Sequence, residues 1–326
     1  MIECLKFFSN FIRAMMTMTS EATISPDVLA EVASRLDTIL LGKPHQIRLA
    51  LACLIARGHL LLEDLPGMGK TVLAHALART LGLDFNRVQF TNDMLPGDLT
   101  GAAIFDRERN QFVFHPGPIF TQLLLADEIN RASPKTQSAL LEAMEERQVS
   151  SEGTTRSLPE PFFVIATQNP VDHLSTNPLP EAQLDRFLMR LSLGYPDAEA
   201  ELEVLRGGDR RQMLETYSSL LDTQQLTQLQ NLVRGIHASE ALLRYIRALA
   251  EHTRHAGSMA FGLSPRATLA LLAAGRAWAL LAGRDHVLPS DIQTVFPHVA
   301  MHRLGHGDAR SAEAQAQSII ESVPVP

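Results

Sequence analysis

Cysteine, positive charge and long apolar runs are all scarce in this chain. Its 326 residues include two cysteines, Cys4 and Cys53, which are too few for a disulfide framework and indicate a reducing, cytoplasmic location. The 29 lysines and arginines are outnumbered by 36 aspartates and glutamates, and the net charge of −7 argues against broad electrostatic capture of nucleic acid. A basic channel confined to one part of the surface is still compatible with this charge balance. No apolar run reaches the roughly 18 residues that a membrane-spanning helix needs.

The pattern of apolar residues changes near Tyr195. Before it, short apolar runs typical of buried strands alternate with helical patterns, which predicts a parallel sheet. After it, the apolar residues follow a helical period almost throughout. We therefore predict an α/β fold: an αβα domain with a parallel sheet over residues 25–195, a linker over 196–222 and a smaller all-α domain over 223–326. The predicted strands are residues 59–63, 87–90, 122–127 and 162–167.

Residues 1–24 form a segment of their own. The stretch MIECLKFFSNFIRAMM is interrupted by charged residues and lacks the apolar core of a signal peptide. Its apolar residues recur at helical spacing, so a helix on a membrane surface is one interpretation. The interpretations that we prefer are a flexible extension, or a gene start placed too early, before Met16 or Met18.

Two helix starts are marked by a serine that is followed by a proline. The pairs are Ser133-Pro134 and Ser264-Pro265. A serine oxygen can accept a hydrogen bond from a first-turn amide. Proline is preferred in the first turn because an N–H there would have no acceptor within the helix, so that its absence costs nothing. We expect a helix to begin at each pair, directly after a loop that could carry function.

The stretch EDLPGMGKT lies between a strand-like run and a helix-like run, as a phosphate-binding loop does. Gly67 and Gly69 allow successive backbone amides to point into one concavity at a helix N-terminus. In such a loop Lys70 reaches the β- and γ-phosphates and the Thr71 hydroxyl binds Mg²⁺. Asp64 stands where the strict pattern has glycine, and it weakens the match. The candidate nucleotide-binding residues here are Pro66, Gly67, Met68, Gly69, Lys70, Thr71 and Val72.

Polar residues end two of the other predicted strands. Asp127 and Glu128 follow the run QLLLA, where one carboxylate can hold Mg²⁺ and the next can orient or deprotonate a water. Asn169 follows FFVIATQ and could help to position that water. Each pattern alone is also typical of the solvated end of a strand or of a turn. Together with the glycine loop they favour an ATP site.

These motifs resemble those of the AAA+ ATPases, and more closely those of the MoxR family. GHLLLEDLPGMGKT is similar to that family's Walker A segment, LLLADEINRA to its Walker B and ATQNP to its sensor 1, and the similarity runs from about residue 39 to about residue 303. The resemblance implies a P-loop AAA+ core with a helical lid, ATP and Mg²⁺ as cofactors, and ATP hydrolysis in a homo-oligomeric ring, a hexamer by resemblance. It also implies chaperone-like remodelling of a protein client, with a von Willebrand factor A domain protein as a partner.

The resemblance also implies roles for single residues. Glu128 would be the catalytic base, Asn169 the sensor 1 residue, and Arg186 the arginine finger that enters a neighbouring subunit's site. Arg190 is a second candidate for the finger. Arg266 resembles the sensor 2 residue of the lid, and because a cation in the first turn of a helix opposes the dipole, its position indicates an anionic partner. A surface salt bridge would explain the same position.

Two other segments resemble insertions of the family. Residues 100–120 read as two short strands around the polar stretch DRERNQ, and residues 147–161 read as a hairpin with a Glu-Gly turn. Both could face a partner or a client, and an inert surface hairpin is the alternative for each.

Two further functions stay open. One is an ATPase subunit of a metal-insertion complex similar to magnesium chelatase. The other is a nucleic-acid motor, against which the acidic charge and the lack of an evident DNA-binding domain argue. His252 and His255 lie one turn apart, but no third ligand has suitable spacing, so we predict no zinc site.

Overall fold

A computed structural model describes residues 28–151, 153–169, 177, 179–207, 213–214, 216–255, 262–304 and 309–325. The N-terminal extension predicted at residues 1–24 lies outside the described residues, as do residues 208–212 of the predicted linker. Within the described part of the chain, no helix is long and apolar enough to cross a membrane.

A five-stranded sheet forms the centre of the first domain, and its strands follow the order β2-β5-β8-β1-β9. All four strand pairs are parallel, which confirms the predicted sheet. The last of its strands, β9, was not predicted. The strands of the chain are β1 (His59–Glu63), β2 (Phe85–Gln89), β3 (Gly101–Asp106), β4 (Gln111–Pro116), β5 (Leu123–Asp127), β6 (Gln148–Ser151), β7 (Thr154–Ser157), β8 (Phe163–Gln168) and β9 (Phe187–Leu191).

Helices cover both faces of this sheet, and further helices follow it. Those before the lid are α1 (Val28–Ile39), α2 (Pro44–Ile55), α3 (Lys70–Thr80), α4 (Pro96–Thr100), α5 (Pro134–Glu146), α6 (Glu181–Leu184) and α7 (Ala198–Leu205). The helices of the lid are α8 (Thr223–Gly235), α9 (Glu240–His255), α10 (Pro265–Leu281), α11 (Pro289–Ala300) and α12 (Ala309–Ser322). Helix α7 lies inside the stretch predicted as a linker.

Successive residues of each central strand enter two different apolar cores. On β1, Leu60 and Leu62 belong to one core and Leu61 to the other, as the alternation of side chains along a strand requires. The first core packs α1, α2 and α3 against the sheet and continues into all five helices of the lid. The second core packs α4 and α5 against the opposite face. This arrangement is the αβα architecture that the sequence predicts.

Both serine-proline pairs begin helices as predicted. The Ser133 hydroxyl accepts a hydrogen bond from the Thr136 amide at the start of α5, and the Ser264 hydroxyl accepts one from the Ala267 amide at the start of α10. These hydrogen bonds satisfy amides that the helices themselves leave unpaired.

Two antiparallel hairpins extend from the first domain where the insertions were predicted. Strands β3 and β4 flank the polar stretch, and β6 and β7 pair on either side of the position where the Glu-Gly turn was predicted. On the first hairpin the Phe105 and Phe112 rings meet edge to face, and the side chains remain 47% and 71% exposed. The Arg156 guanidinium of the second hairpin lies 3.6 Å from the ring centroid of Phe114, so the two hairpins are neighbours.

Arg303 ties the lid to the first domain. Its guanidinium forms an ion pair of 2.6 Å with Asp185 and donates to the carbonyl of Phe187 at 2.6 Å, just before and at the start of β9. The side chain is 5% exposed, so this contact is screened little by solvent. Burial lowers the pKa of Arg303, and Asp185 opposes that shift.

Candidate functional site

The glycine loop leaves β1 at its carboxyl end and leads directly into α3. Gly67 and Gly69 have φ values of 84° and 90°, in the left-handed region that favours glycine, and Gly69 is the N-cap of the helix. A Cβ on Gly67 would meet nothing within 4 Å, so its backbone angle and not crowding requires glycine. The loop therefore opens onto the helix N-terminus, as an anion site requires.

The Lys70 ammonium lies against the backbone of this same loop. Its Nζ donates to the carbonyl oxygen of Asp64 at 2.5 Å and to that of Leu65 at 3.3 Å. Partial burial lowers the pKa of Lys70, and the carboxylates of Asp64, Asp127 and Glu128 oppose that shift. The structure thus brings the predicted lysine and both predicted acids into one electrostatic environment.

Asp64 uses its carboxylate to hold another part of the chain. Its Oδ2 accepts hydrogen bonds from the backbone amides of Leu193 and Gly194, at 2.6 and 2.8 Å, and from the Ser192 hydroxyl at 3.2 Å. The side chain is buried, and these donors belong to the segment that follows β9. The negative charge that weakened the sequence match is therefore balanced by hydrogen-bond donors next to the loop.

Asp127 ends β5 and is held from two sides. The Thr167 hydroxyl donates to Oδ1 at 2.6 Å, and the Arg87 guanidinium donates to Oδ2 at 2.7 and 3.1 Å. The Thr167 hydroxyl also accepts the amide of Glu128 at 2.9 Å, so one side chain orients both acids. Glu128 has a φ of 55°, and its carboxylate pairs with Arg131 at 2.7 Å.

Asn169 follows β8, which lies between β5 and β1 in the sheet. Because the three strands are parallel, the glycine loop, the acidic pair and Asn169 all lie at the carboxyl edge of the sheet. This edge is where ligands bind in open α/β sheets. The structure brings the predicted residues of this group together.

Arg190 lies in the carboxyl half of β9, on the strand next to β1. Its guanidinium pairs with Glu63 at 3.0 Å, and its side chain is 19% exposed. Glu63 is the last residue of β1, directly before the glycine loop. Arg190 therefore belongs to the same edge of the sheet as the loop of its own chain.

Arg186 and Arg266 lie at the opposite side of the sheet, where the strands begin; we call this side the amino edge. Arg186 comes just before β9, while the glycine loop comes just after β1, and the two strands run parallel. Arg266 is in the first turn of α10. Both pair with Glu145: Arg186 at 3.0 Å and Arg266 at 2.8 Å. Within this chain Arg266 therefore forms a surface salt bridge with Glu145, which was the alternative explanation of its position.

These two arginines line a cleft of about 350 Å³. Five arginine side chains border it, against two acidic ones, so the cleft is suited to an anion. His59, at the first position of β1, forms part of its wall, and burial lowers its pKa to about 4. The arginines are Arg57, Arg147, Arg186, Arg266 and Arg303.

Two family models match the chain. Residues 59–189 match the ATPase family associated with various cellular activities (AAA), and residues 251–323 match the AAA lid domain. The uncharacterized protein YeaC of Bacillus subtilis is 45% identical over 297 residues, which cover 91% of this chain and 93% of YeaC. Chaperone MoxR1 of Mycobacterium tuberculosis is 40% identical over 303 residues, which cover 88% of this chain and 80% of that protein.

A third relative and a solved structure agree with these matches. Protein MoxR of Paracoccus denitrificans is 33% identical and covers 91% of this chain and 96% of its own length. The crystal structure of a candidate ATPase from Cytophaga hutchinsonii has a TM-score of 0.82 at 34% identity, covering 100% of this chain and 99% of that one. The chain belongs to the MoxR family of AAA+ ATPases.

Membership of the AAA family implies nucleotide binding, typically together with Mg²⁺. The residues of this MoxR-family ATPase fit both groups. The loop would offer a helix N-terminus and a lysine to phosphate, and the Asp127 carboxylate, aligned by Thr167, would offer the kind of oxygen ligand that Mg²⁺ prefers. The Thr71 hydroxyl, in the first turn of α3, would offer Mg²⁺ a second oxygen close to the loop.

Three residues of this MoxR-family site were not identified from the sequence. Arg87 is a charged residue inside a predicted strand, which was a signal that it pairs with an acid on the neighbouring strand. Thr167 is the polar residue near the end of an otherwise apolar strand, two residues before Asn169. Glu145 is one of several glutamates on the exposed face of α5, and its pattern gave no signal.

Proposed function

We propose that this MoxR-family protein hydrolyses ATP with Mg²⁺ in sites that two neighbouring subunits of a ring share. The observation that carries the proposal is the separation within one chain of the phosphate loop from Arg186 and Arg266. Strand β9 has five residues, so the two edges of the sheet are roughly 15 Å apart. In a ring, the arginine edge of one subunit would face the phosphate loop of the next.

The carboxyl edge would supply one half of each site. Lys70 would bind the β- and γ-phosphates, and Thr71 and Asp127 would hold Mg²⁺, which neutralises charge on the phosphates when bound. Glu128 would take the proton of the attacking water, and Asn169 would help to position that water. The left-handed backbone of Glu128 and its ion pair with Arg131 hold its carboxylate at the end of β5.

The amino edge would supply the other half. Arg186 would be the arginine finger and Arg266 the lid residue that acts with it, and both would contact the γ-phosphate of the neighbouring subunit. Their common partner Glu145 keeps the two guanidinium groups side by side. Arg190 is less suited to the finger because it pairs with Glu63 next to the phosphate loop of its own chain.

A finger residue that completes a site is typically worth about 10³–10⁵ in rate, or roughly 4–7 kcal/mol of transition-state stabilisation. An isolated subunit would therefore bind ATP and hydrolyse it very slowly. Assembly would switch the activity on, and this coupling is the functional reason for a ring, a hexamer by resemblance.

The output of hydrolysis in this proposal is chaperone-like remodelling of a protein client in the cytoplasm. Two observations support it: a 40% identical relative is named chaperone MoxR1, and the β3–β4 hairpin exposes Phe105 and Phe112 at the surface. Exposed aromatic side chains provide contact area for other proteins. A von Willebrand factor A domain protein is the partner that we propose for the ring.

The test is the ATPase rate per subunit over a range of protein concentrations, with Glu128→Gln as the blank. A rate per subunit that climbs with concentration is the expected result, since dilution separates the two halves of each site. A rate per subunit well above the blank that does not change with concentration, in a protein that sediments as a monomer when dilute, would contradict shared sites.

A further inference from the structure

One carboxylate joins the two arginines of the amino edge. Glu145 Oε2 accepts from Arg186 Nε at 3.0 Å, and Glu145 Oε1 accepts from Arg266 Nη1 at 2.8 Å. Arg186 belongs to the sheet domain and Arg266 to the first turn of the lid helix α10, so the contact spans both domains. Each oxygen of the carboxylate serves a different arginine.

The positions of these charges are unfavourable within their own helices. Glu145 is in the last turn of α5, where a negative charge opposes the helix dipole, and Arg266 is in the first turn of α10, where a positive charge does. Neither helix on its own accounts for its charged residue at that end. Their mutual ion pair does, because each side chain then lies next to a charge of opposite sign.

The geometry also sets the spacing of the two guanidinium groups. Two donors held by the two oxygens of one carboxylate are separated by the width of a single small anion. A phosphate group presents its oxygens over a similar width, and arginine binds both anions through the same N–H donors. The pair is thus ordered in the arrangement that a γ-phosphate would need.

We propose that Glu145 is a positioning residue that holds Arg186 and Arg266 as a preformed pair for the nucleotide of the neighbouring subunit. This inference rests on the proposed function, since it assumes that both arginines act across the subunit interface. Without Glu145, each long arginine side chain would have to be ordered separately when the γ-phosphate arrives. Glu145 itself touches neither ATP nor the attacking water in this proposal.

The first test measures the turnover and ATP affinity of Glu145→Ala. We expect kcat to fall by roughly 10²-fold, the scale of a misplaced catalytic group, while ATP affinity stays within about twofold of wild type because the phosphate loop is intact. The kcat of Glu145→Gln should lie between those of wild type and Glu145→Ala, since its amide keeps one oxygen for one arginine and loses the other. Glu142→Ala, an exposed glutamate one turn earlier on α5, is the matched control and should keep wild-type kcat.

The second test mixes variant subunits. Glu145→Ala subunits keep an intact nucleotide site, and Glu128→Gln subunits keep an intact arginine pair. An interface at which the nucleotide site of the first faces the arginine pair of the second should therefore be active. When equal amounts of the two variants assort at random in a closed ring, about a quarter of the interfaces join the two intact halves. Arg186→Ala mixed with Glu128→Gln is the benchmark and should recover to the same extent.

The outcomes separate the inference from the proposed function. If the Arg186→Ala benchmark recovers activity but Glu145→Ala alone turns over like wild type, the positioning role is overturned and the shared sites stand. Loss of ATP affinity in Glu145→Ala would also overturn it, since that would be a general structural defect. If the benchmark itself stays inactive although the subunits exchange, the shared sites fail, and the role of Glu145 fails with them.

Discussion

Asp64 and Leu193 are joined by a hydrogen bond of 2.6 Å between the aspartate Oδ2 and the leucine backbone amide. The contact ties the start of the phosphate loop to the chain that leaves β9, and glycine, the residue of the strict motif, could not make it. Asp64→Gly would leave this amide and that of Gly194 without their acceptor. We expect the free energy of unfolding to fall by about 1–3 kcal/mol in urea titrations.

Asp64→Asn is the matched variant for that experiment. Its amide oxygen can still accept the backbone amides of Leu193 and Gly194, while its NH₂ group takes the place of the oxygen that accepts the Leu65 amide, so its loss of stability should be smaller than that of Asp64→Gly. Equal stability of wild type and Asp64→Gly would show that the contact does not anchor the loop.

Lys70→Ala should weaken ATP binding itself. A hydrogen bond to a charged group contributes about 1.5–3 kcal/mol, so we expect a loss of roughly 10- to 100-fold in affinity, measured by titration with a fluorescent ATP analogue. Lys135→Ala, an exposed lysine at the start of α5, serves as the control. Wild-type affinity in Lys70→Ala would contradict the phosphate-loop assignment.

Glu128→Gln should separate binding from turnover. The amide keeps the size of the side chain but cannot take a proton, and general bases contribute roughly 10²–10⁴ in rate. We expect kcat to fall by that factor at unchanged ATP affinity. Glu142→Gln provides a control for the loss of one negative charge, and unchanged turnover in Glu128→Gln would remove Glu128 from the role of base.

Arg186→Ala and Arg190→Ala should differ in kind. Loss of Arg186 should reduce turnover by about 10³-fold or more in the assembled protein, because the finger then no longer reaches the neighbouring site. Loss of Arg190 removes the partner of Glu63 and should act on stability with a smaller effect on kcat. The reverse order of the two kcat values would identify Arg190 as the finger.

The stability of the protein should depend on pH through His59. Its Nδ1 accepts the amide of Val164 at 3.0 Å and its Nε2 donates to the carbonyl of Met144 at 3.2 Å, so the ring is neutral when folded. Burial lowers its pKa to about 4, from 6.5. Between these two pKa values the unfolded chain binds more protons than the folded one. The contribution of His59 to the free energy of unfolding is therefore fully present above about pH 6.5, and up to roughly 3 kcal/mol of it is lost as the pH falls towards 4.

Urea titrations of wild type and His59→Gln at about pH 7.5 and about pH 5 test this dependence. The glutamine variant should be less stable at the higher pH, and its stability should change less between the two. An identical change with pH in both proteins would mean that His59 does not contribute to it.

The sequence predicted what depends on neighbours along the chain and missed what depends on distant ones. The serine caps of α5 and α10, the two hairpins and the central strands follow from local patterns. Strand β9 was not predicted because Arg190 interrupts its apolar run, and only the distant Glu63 accounts for a charge at that position. The contact between Asp64 and Leu193 joins positions 129 residues apart, and no local pattern contains it.

The placement of the arginines has the same origin. Spacing along the chain identifies Arg186 and Arg266 as members of known motifs, but the edge of the sheet on which they lie depends on the direction of β9 and on how the lid packs. Glu145 became visible only when both arginines were found around one carboxylate.

The apolar core that continues from α1, α2 and α3 into the lid has a mechanical consequence. Close-packed side chains compress little and transmit strain, so a shift of α3 at the phosphate loop would be felt in the lid through direct contact and not through a flexible tether. The two domains of one subunit therefore behave as a stiff lever whose ends are the nucleotide loop and the arginine cleft. Around a ring, each lever would push on the next.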